Sequence, residues 1–537
     1  MLAIATAVLL LAVGVRAWVT EDAYISFRTV DNFVHGYGLR WNVDERVQAF
    51  THPLWVLVLI PFYWLTREIF FTSMAVSLTL TAAAFRVGLR SCDRAWLPVV
   101  ALVPLTASKA FCDFATSGLE NPLTFLFLAA FTAVLLARAA DPPPFTLALL
   151  AALGATNRLD SLLFFLPALL LVAWQRPGRA LLRAMALGFV PLAAWEAFSL
   201  FYFGFLLPNT KYAKLGTGLD QGAYVRQGLL YAIDLVVNDP VSAGLILVAT
   251  ALAVQGVLGS PRGSPRRRDA LAFASLAAGL WAYAAYVVWV GGDFMAGRFW
   301  APGVFLAALL VYWFAHGQAE TLGKEGAAAV VALLALVVVL FPRSAHFDAR
   351  ASKFGTKIMD EREFYADTNT LVNYAPGRQP IDHPFSQEGL TMAGRARDAK
   401  AVGQKVTWAT ALVGMLGYHA GPEVIVIDRI GLGDPLLARL PLDDRGKFPK
   451  PGHFIRTLPE GYERARQTGA LDGMHPALAQ YYGALRSVVS DPLFSPRRMG
   501  TLVAFNLGRY DHFRDEYVAW RRQQPAAPAS PAPSPQQ

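Results

Sequence analysis

Charged side chains recur in this sequence just beyond its apolar stretches, in the loops that join one stretch to the next. Glu21 and Asp22 come first, two residues after the apolar run Leu2 to Val19. Asp113 and Glu120 bracket Phe-Ala-Thr-Ser-Gly-Leu, and Arg158 and Asp160 share a very short loop. Lys211 and Lys214 follow Pro208-Asn209-Thr210, and Asp293 and Arg298 bracket Phe-Met-Ala-Gly. Ionisable groups beside membrane-length apolar segments are costly to place and tend to be functional. As a set they offer one chemistry: cations hold a phosphate while a carboxylate takes the proton of a hydroxyl nucleophile. Any single loop reads equally well as residues solvating a helix end. Five such loops on one face favour the chemical reading.

Other chemistries lack their signatures. The sequence has no Gly-rich loop followed by Lys-Ser/Thr, no His-Glu-x-x-His and no Gly-x-Ser-x-Gly. The nine histidines are scattered without ligand spacing; His35 and His52 fall in the first loop, where either could touch substrate or be hydrogen-bonded. Cys92 and Cys112 are expected on opposite membrane faces, so neither a disulfide nor a Cys-based metal site is expected. No cofactor is assigned. The acidic pair offers a site for a cation, but a monophosphate facing several cations does not need a metal.

Elements able to position these loops follow from composition. The chain has 537 residues, 55% of them apolar and only 16% charged, and its mean hydropathy is positive. That balance favours a polytopic membrane protein. The net charge of +9 comes largely from arginines clustered in short loops, a topology signal rather than a nucleic-acid surface. Apolar stretches able to cross a bilayer run at 2–19, 69–88, 95–107, 122–138, 143–156, 160–175, 183–203, 241–257, 269–290, 300–316 and 325–341. Leu54 to Leu65 is short and contains Pro61, and the arginines decide its treatment. If it lies along the surface, the clusters Arg86–Arg90–Arg94, Arg176–Arg179–Arg183 and Arg262–Arg266–Arg267–Arg268 all fall inside, as the positive-inside bias requires. Eleven spans result, with all five charged loops outside. The expected organisation is a transmembrane domain over 1–341 with its first outer loop at 20–68, then an extracytoplasmic domain over 342–522 and a disordered Pro/Ala/Ser tail over 523–537.

The outer domain reads as mixed α/β. Val424 to Ile427 followed by Asp428 has the form of a buried strand ending on a carboxylate, with Gly431 and Gly433 in the turn beyond it. Glu460 to Gly469 and Pro476 to Ser487 read as helices. Around the acidic pair stand Trp18, Tyr24, Phe27, Tyr37, Trp41 and Trp55, which read mainly as an interfacial aromatic belt, with sugar stacking open to one or two of them.

A first outer loop with an acidic pair, many spans and a C-terminal outer domain resembles the GT-C superfamily, membrane glycosyltransferases that use polyprenyl-phosphate sugars. Within it, Glu21-Asp22-Ala23-Tyr24, Asp113 to Glu120, Gly291-Gly292-Asp293-Phe294-Met295-Ala296-Gly297-Arg298, Asp360 to Ala366 and Gly414 to Leu432 resemble the terminal β-1,2 arabinofuranosyltransferases of actinobacteria. The matching segments run in order over about residues 16 to 440. Glu21-Asp22 stands where that family shows Asp-Asp, and Arg158-Leu159-Asp160 replaces an Arg-Pro-Glu pattern. The far C-terminus lacks the family's cysteines and much of its sugar-binding region.

This resemblance implies a GT-C fold and transfer of a sugar, D-arabinofuranose, from a decaprenyl-phosphate donor to a cell-envelope glycan at the outer face of the cytoplasmic membrane. It implies Asp22 as the main catalytic carboxylate with Glu21 beside it. Arg158, Arg298 and Lys211 become candidates for the donor phosphate. Asp113, Glu120, Asp160 and Asp293 would bind sugar hydroxyls or position the cations. The implied partners are the polyprenyl-phosphate sugar, the envelope glycan acceptor and the lipid bilayer, with no nucleic acid. Two alternatives stay open: a polyprenyl-phosphate hexosyltransferase of mannosyl type, and a transporter of lipid-linked glycans. The transporter would place charges along a path inside the spans, where this sequence has few.

Overall fold

The apolar stretches fold as helices in the computed structural model, which describes residues 1–89, 94–319, 357–442 and 451–524. Phe70–Gly88, Pro240–Leu258 and Pro265–Trp289 are long and apolar enough to cross a membrane. Leu97–Ala107, Asn121–Ala137, Pro144–Asn157, Leu162–Gln175 and Ala301–Gly317 lie close to the expected stretches and are shorter than those three helices. The stretch 183–203 is broken at Phe189 into Arg179–Gly188 and Val190–Tyr202, bent by 49°. Leu54 to Leu65 lies within the helix Pro53–Thr66, with Pro61 inside it. The expected span 325–341, Cys92, Arg90 and the tail beyond Gln524 lie outside the described residues, and Gln523 ends a helix rather than opening a tail. Large apolar side chains such as Leu11, Trp174, Leu247 and Leu258 face outward, which fits a membrane protein.

The first stretch departs from expectation. Its helix is Leu2–Gly14, about 20 Å long at 1.5 Å per residue and short of a bilayer core. Residues 17–19 leave the helix and pair with the chain near 370: the Val19 amide donates to the Asn369 carbonyl (3.0 Å) and the Leu371 amide to the Ala17 carbonyl (2.9 Å). The same later segment pairs with the 291–298 loop, where the Met359 amide donates to the Phe294 carbonyl (2.7 Å) and the Ala296 amide to the Met359 carbonyl (2.9 Å).

Two compact units emerge, and they do not follow a linear cut at residue 341. The first comprises 1–23, 51–195 and 220–383; the second comprises 24–50, 196–219 and 384–537. In the first, Phe111, Phe125 and Phe305 stack at centroid distances of 5.0–5.9 Å in the core. Helix Pro265–Trp289 lies against Leu162–Gln175, and Gly279 makes that approach close: a Cβ there would sit 2.1 Å from the Phe164 carbonyl oxygen. Phe164 then stacks on Tyr283 at 4.2 Å. One of these helices follows the Arg158–Asp160 loop and the other leads into the Asp293–Arg298 loop, so a glycine contact holds two charged loops together.

In the second unit β1 (Val406–Thr410) and β2 (Val424–Asp428) form a parallel pair, with every residue of β2 buried. The Asp428 carboxylate accepts the Ile430 and Gly433 amides at 2.8 and 2.7 Å, closing the turn that the sequence placed there; burial raises its pKa to about 6. Helices Tyr462–Thr468 and Pro476–Ser490 match their expected positions. Residues 24–50, expected as part of the transmembrane domain's outer loop, pack here instead. Arg28 Nε donates to the Trp41 carbonyl (2.6 Å) and its guanidinium to the Val424 carbonyl (2.9 Å). The Asn42 side chain acts as a strand edge, donating to the Val426 carbonyl (2.9 Å) and accepting the Val426 amide (3.1 Å).

The aromatic belt is accordingly corrected. Tyr24, Phe27, Trp41, Trp18 and Trp55 are buried, and only Tyr37 of that group is exposed. Each sits among backbone or ring partners; Trp41 is pressed against Gly433, where a Cβ would fall 2.4 Å from its ring.

Candidate active site

The first unit gathers six of the expected charged residues. Arg298 Nη1 lies 3.4 Å from Asp22 Oδ2 and 3.3 Å from Asp293 Oδ2, and Arg298 Nη2 lies 3.9 Å from Glu120 Oε2. Arg158 Nη1 contacts Glu120 Oε1 at 2.6 Å, and Arg158 grips Asp160 with Nε and Nη2 at 2.7–3.0 Å. Phe299 lies under both guanidinium groups, 4.4 Å from that of Arg158 and 5.8 Å from that of Arg298.

Glu120 is the hub. It is fully buried, and His52 Nδ1 stands 3.2 Å from its Oε2. Burial by itself would raise this carboxyl; His52, Arg158 and Arg298 outweigh burial and hold it well below the usual carboxylate range. Asn157 supports it from behind, donating to the Glu120 carbonyl (3.1 Å) and to Thr124 Oγ1 (2.9 Å). Trp55 donates to the Gly118 carbonyl (2.9 Å) and the Thr20 amide to the Ser117 carbonyl (3.0 Å), so the loop carrying Glu120 is tied to the one carrying Asp22.

The 291–298 loop owes its shape to two glycines and one tyrosine. Gly292 has φ +67°, and a Cβ on it would lie 2.5 Å from the Tyr231 ring. The Tyr231 hydroxyl donates to the Met295 carbonyl (2.9 Å) and accepts the Phe299 amide (3.2 Å). No residue but glycine fits position 292 without moving that ring.

The two guanidiniums differ in how fully they are used. Arg158 is saturated by short bonds to two carboxylates. Arg298 has only long contacts, and its buried Nε has no hydrogen-bond partner among the described residues. Thr20 Oγ1, Ser117 Oγ and Asn157 Oδ1 are also buried without hydrogen-bond partners among the described residues. Unpaired buried polar atoms are costly, and these three stand in Asp22's own segment, in the loop carrying Glu120 and at the end of helix Pro144–Asn157. Among the described residues no group of three His, Cys, Asp or Glu side chains is arranged to hold a metal ion.

Glu21 is buried, whereas the Asp22 side chain is 23% exposed and faces Arg298. Tyr365, from the later segment, is buried; burial, Glu361, Glu21 and Asp22 together push its hydroxyl well above the usual range. The structure assigns two expected residues elsewhere. Lys211 belongs to the second unit, its Nζ 5.4 Å from the Tyr212 ring. Asp113 is consumed by an ion-pair group of its own, held by Arg16 and by Lys109, which also reaches Asp360 at 2.7 Å. His52, expected in the first loop to touch substrate or be hydrogen-bonded, stands against Glu120; Asn157, Tyr231 and Lys109 carry no mark of their partners in the sequence, which lists charges without their pairings.

Asp113 gives a test of that ion-pair group. Burial would raise its pKa, but Lys109 and Arg16 lower it to about 2, against 3.8 in an unfolded chain. A carboxyl depressed in the fold stabilises it fully above pH 3.8 and loses that contribution, roughly 2 kcal/mol, as pH falls towards 2. Asp113→Asn is therefore expected to flatten the acid limb of stability between those values, measured by denaturant titration across the range. An unchanged limb would show that the pairing contributes nothing.

The chain is 26% identical over 525 residues to the terminal β-(1→2)-arabinofuranosyltransferase of Mycobacterium tuberculosis, covering 83% of this chain and 82% of that one. It is similar to the terminal β-(1→2)-arabinofuranosyltransferases. The enzyme of that name from Corynebacterium glutamicum is likewise 26% identical, over 519 residues, with 81% and 72% coverage. No family model and no solved structure matches. Likeness to these arabinofuranosyltransferases extends over most of the chain.

Proposed function

We propose that this chain is a membrane glycosyltransferase that moves D-arabinofuranose from a polyprenyl-phosphate donor to a cell-envelope glycan, working at the outer face of the cytoplasmic membrane. The observation that carries the reading is Asp22: a partly exposed carboxylate opposite a guanidinium whose Nε has no partner among the described residues. Asp22 serves as the base that accepts the acceptor hydroxyl's proton. Arg298 takes the donor phosphate as the glycosidic bond breaks, because its donors are not already spent. Arg158, locked to Asp160 and Glu120, positions that group rather than binding the leaving group.

Charge balance supports sugar transfer in particular. Four carboxylates, Asp22, Glu120, Asp160 and Asp293, face two guanidiniums and His52. The excess negative field suits a transition state in which positive charge grows on the sugar ring while the phosphate departs. Similarity along four fifths of the chain to arabinofuranosyltransferases supports the choice of sugar.

Donor profiling tests the proposal. Membranes carrying the protein are supplied with radiolabelled polyprenyl-phosphate arabinose or polyprenyl-phosphate mannose. Transfer of arabinose to envelope glycan is expected; transfer of mannose alone would replace this reading with the hexosyl one.

A further inference from the structure

We propose that helix Pro496–Asn506 of the second unit lies on the phospholipid bilayer, with its exposed apolar face in the interface beside the end of helix Val190–Tyr202. The proposal needs a membrane protein and does not depend on which sugar the chain moves. Phe494, Val503 and Leu507 are 83%, 54% and 68% exposed, and Met499 is exposed with them. Met499, Val503 and Leu507 recur at four-residue intervals, which puts them on one face of the helix. Phe494 stands just ahead of the helix's capping residue, Ser495.

The opposite face of the helix is already used. Arg498, Leu502 and Phe505 are buried, and Leu502 and Phe505 join Phe205 and Tyr481 in the core of the unit. Large apolar side chains left exposed together mark a surface that meets something other than water.

Its neighbour decides what that is. Arg498 Nη2 donates to the Phe201 and Tyr202 carbonyls at 2.7 and 3.2 Å, and Asn506 Nδ2 donates to the Gly204 carbonyl at 2.9 Å. The Phe494 ring lies 5.5 Å from that of Phe201. Phe201 and Tyr202 end the bent helix pair Arg179–Gly188 and Val190–Tyr202, which taken together is long and apolar enough to cross a membrane. Helix Pro496–Asn506 is therefore fastened where a span leaves the hydrocarbon core. Phe198 and Leu206, on either side of that helix end, are exposed as well, so the patch adjoins apolar surface that lipid covers.

Charge fits the same occupant. Residues 492–510 contain three arginines and no Asp or Glu. Arg497 and Arg509 are exposed near the two ends of the helix, and Arg497 has only a loose contact with Asp491, at 3.8 Å. Cations beside an apolar helix face suit an interface, where phosphate headgroups meet the guanidiniums and the apolar side chains go deeper. A protein partner would not require the patch to sit at the end of a span.

Fluorescence quenching of the full chain in nanodiscs of phosphatidylcholine and phosphatidylglycerol tests the contact. Cys92→Ala and Cys112→Ala remove the native thiols, and Val503→Cys or Leu507→Cys then takes a nitrobenzoxadiazole label at an exposed position. Spin-labelled phosphatidylcholine is expected to quench that label roughly two-fold or more. Aqueous iodide is expected to quench it several-fold less than a label at Val402→Cys, which is exposed outside the patch. Iodide quenching equal to that at Val402→Cys would overturn the proposal. Shielding from both quenchers would overturn it too, because a protein surface would then cover the face. A second chain, labelled at Met499→Cys and carrying Val503→Asp/Leu507→Asp, is expected to lose the lipid quenching as the new carboxylates lift the helix into water. Lipid quenching undiminished in that chain would count against the contact.

Discussion

Asp22→Asn is expected to lower arabinose transfer by about 100- to 10,000-fold, the range usual for loss of a positioned base. Asparagine keeps the side chain's shape and removes both its charge and its basicity. Little folding energy is at stake, because Asp22 is partly exposed and its contact with Arg298 is 3.4 Å long. The variant should therefore unfold within a few degrees of the wild type, and the loss should fall on turnover. Transfer from radiolabelled lipid-linked arabinose in isolated membranes is the measurement. Retention of more than a tenth of the activity would remove Asp22 from the reaction.

A second large effect is expected at Glu120, and of the opposite kind. Glu120→Ala takes away a fully buried carboxylate from His52, Arg158 and Arg298 at once. Removing one partner from a buried ion pair typically costs about 3–5 kcal/mol, because the remaining charge is left without compensation. Asp160 still satisfies part of Arg158, and Asp293 and Asp22 part of Arg298, so the lower end of that range is expected. Detergent-solubilised protein should unfold several degrees earlier than the wild type, and transfer should fall with it. An unchanged melting temperature would mean that Glu120 is not the anchor its contacts describe.

These contrasts also explain what could be read before any fold was known. Apolar stretches of the right length gave helices in nearly the right places, because hydropathy acts locally. The strand Val424–Asp428 was legible for the same reason, as was its closing turn. Charges confined to loops marked the candidates without sorting them, and the structure brings Asp22, Glu120, Arg158, Asp160, Asp293 and Arg298 together.

Pairing was not legible. Asp113 has the same composition-level credentials as Asp293, but Arg16, nearly 100 residues away in sequence, claims it. Nothing local to residues 24–50 announces that Asn42 will edge a strand almost 400 positions later. The short first helix was missed because Val15 to Val19 is apolar enough to continue it, whereas backbone pairing with 369–371 draws it away. Tyr231 escaped notice because a tyrosine inside an apolar helix has no sequence mark of the two hydrogen bonds it will make.

The packing of residues 24–50 against β2 bears on how such proteins can be recombined. Trp41 fills the space that Gly433 leaves open, and Arg28 and Asn42 are fitted to the backbone at 417–426. A chimera that grafts only the C-terminal half of a relative would set a foreign surface against that tryptophan. The functional module for exchange is discontinuous: an early loop and a late strand, hundreds of residues apart, have to travel together.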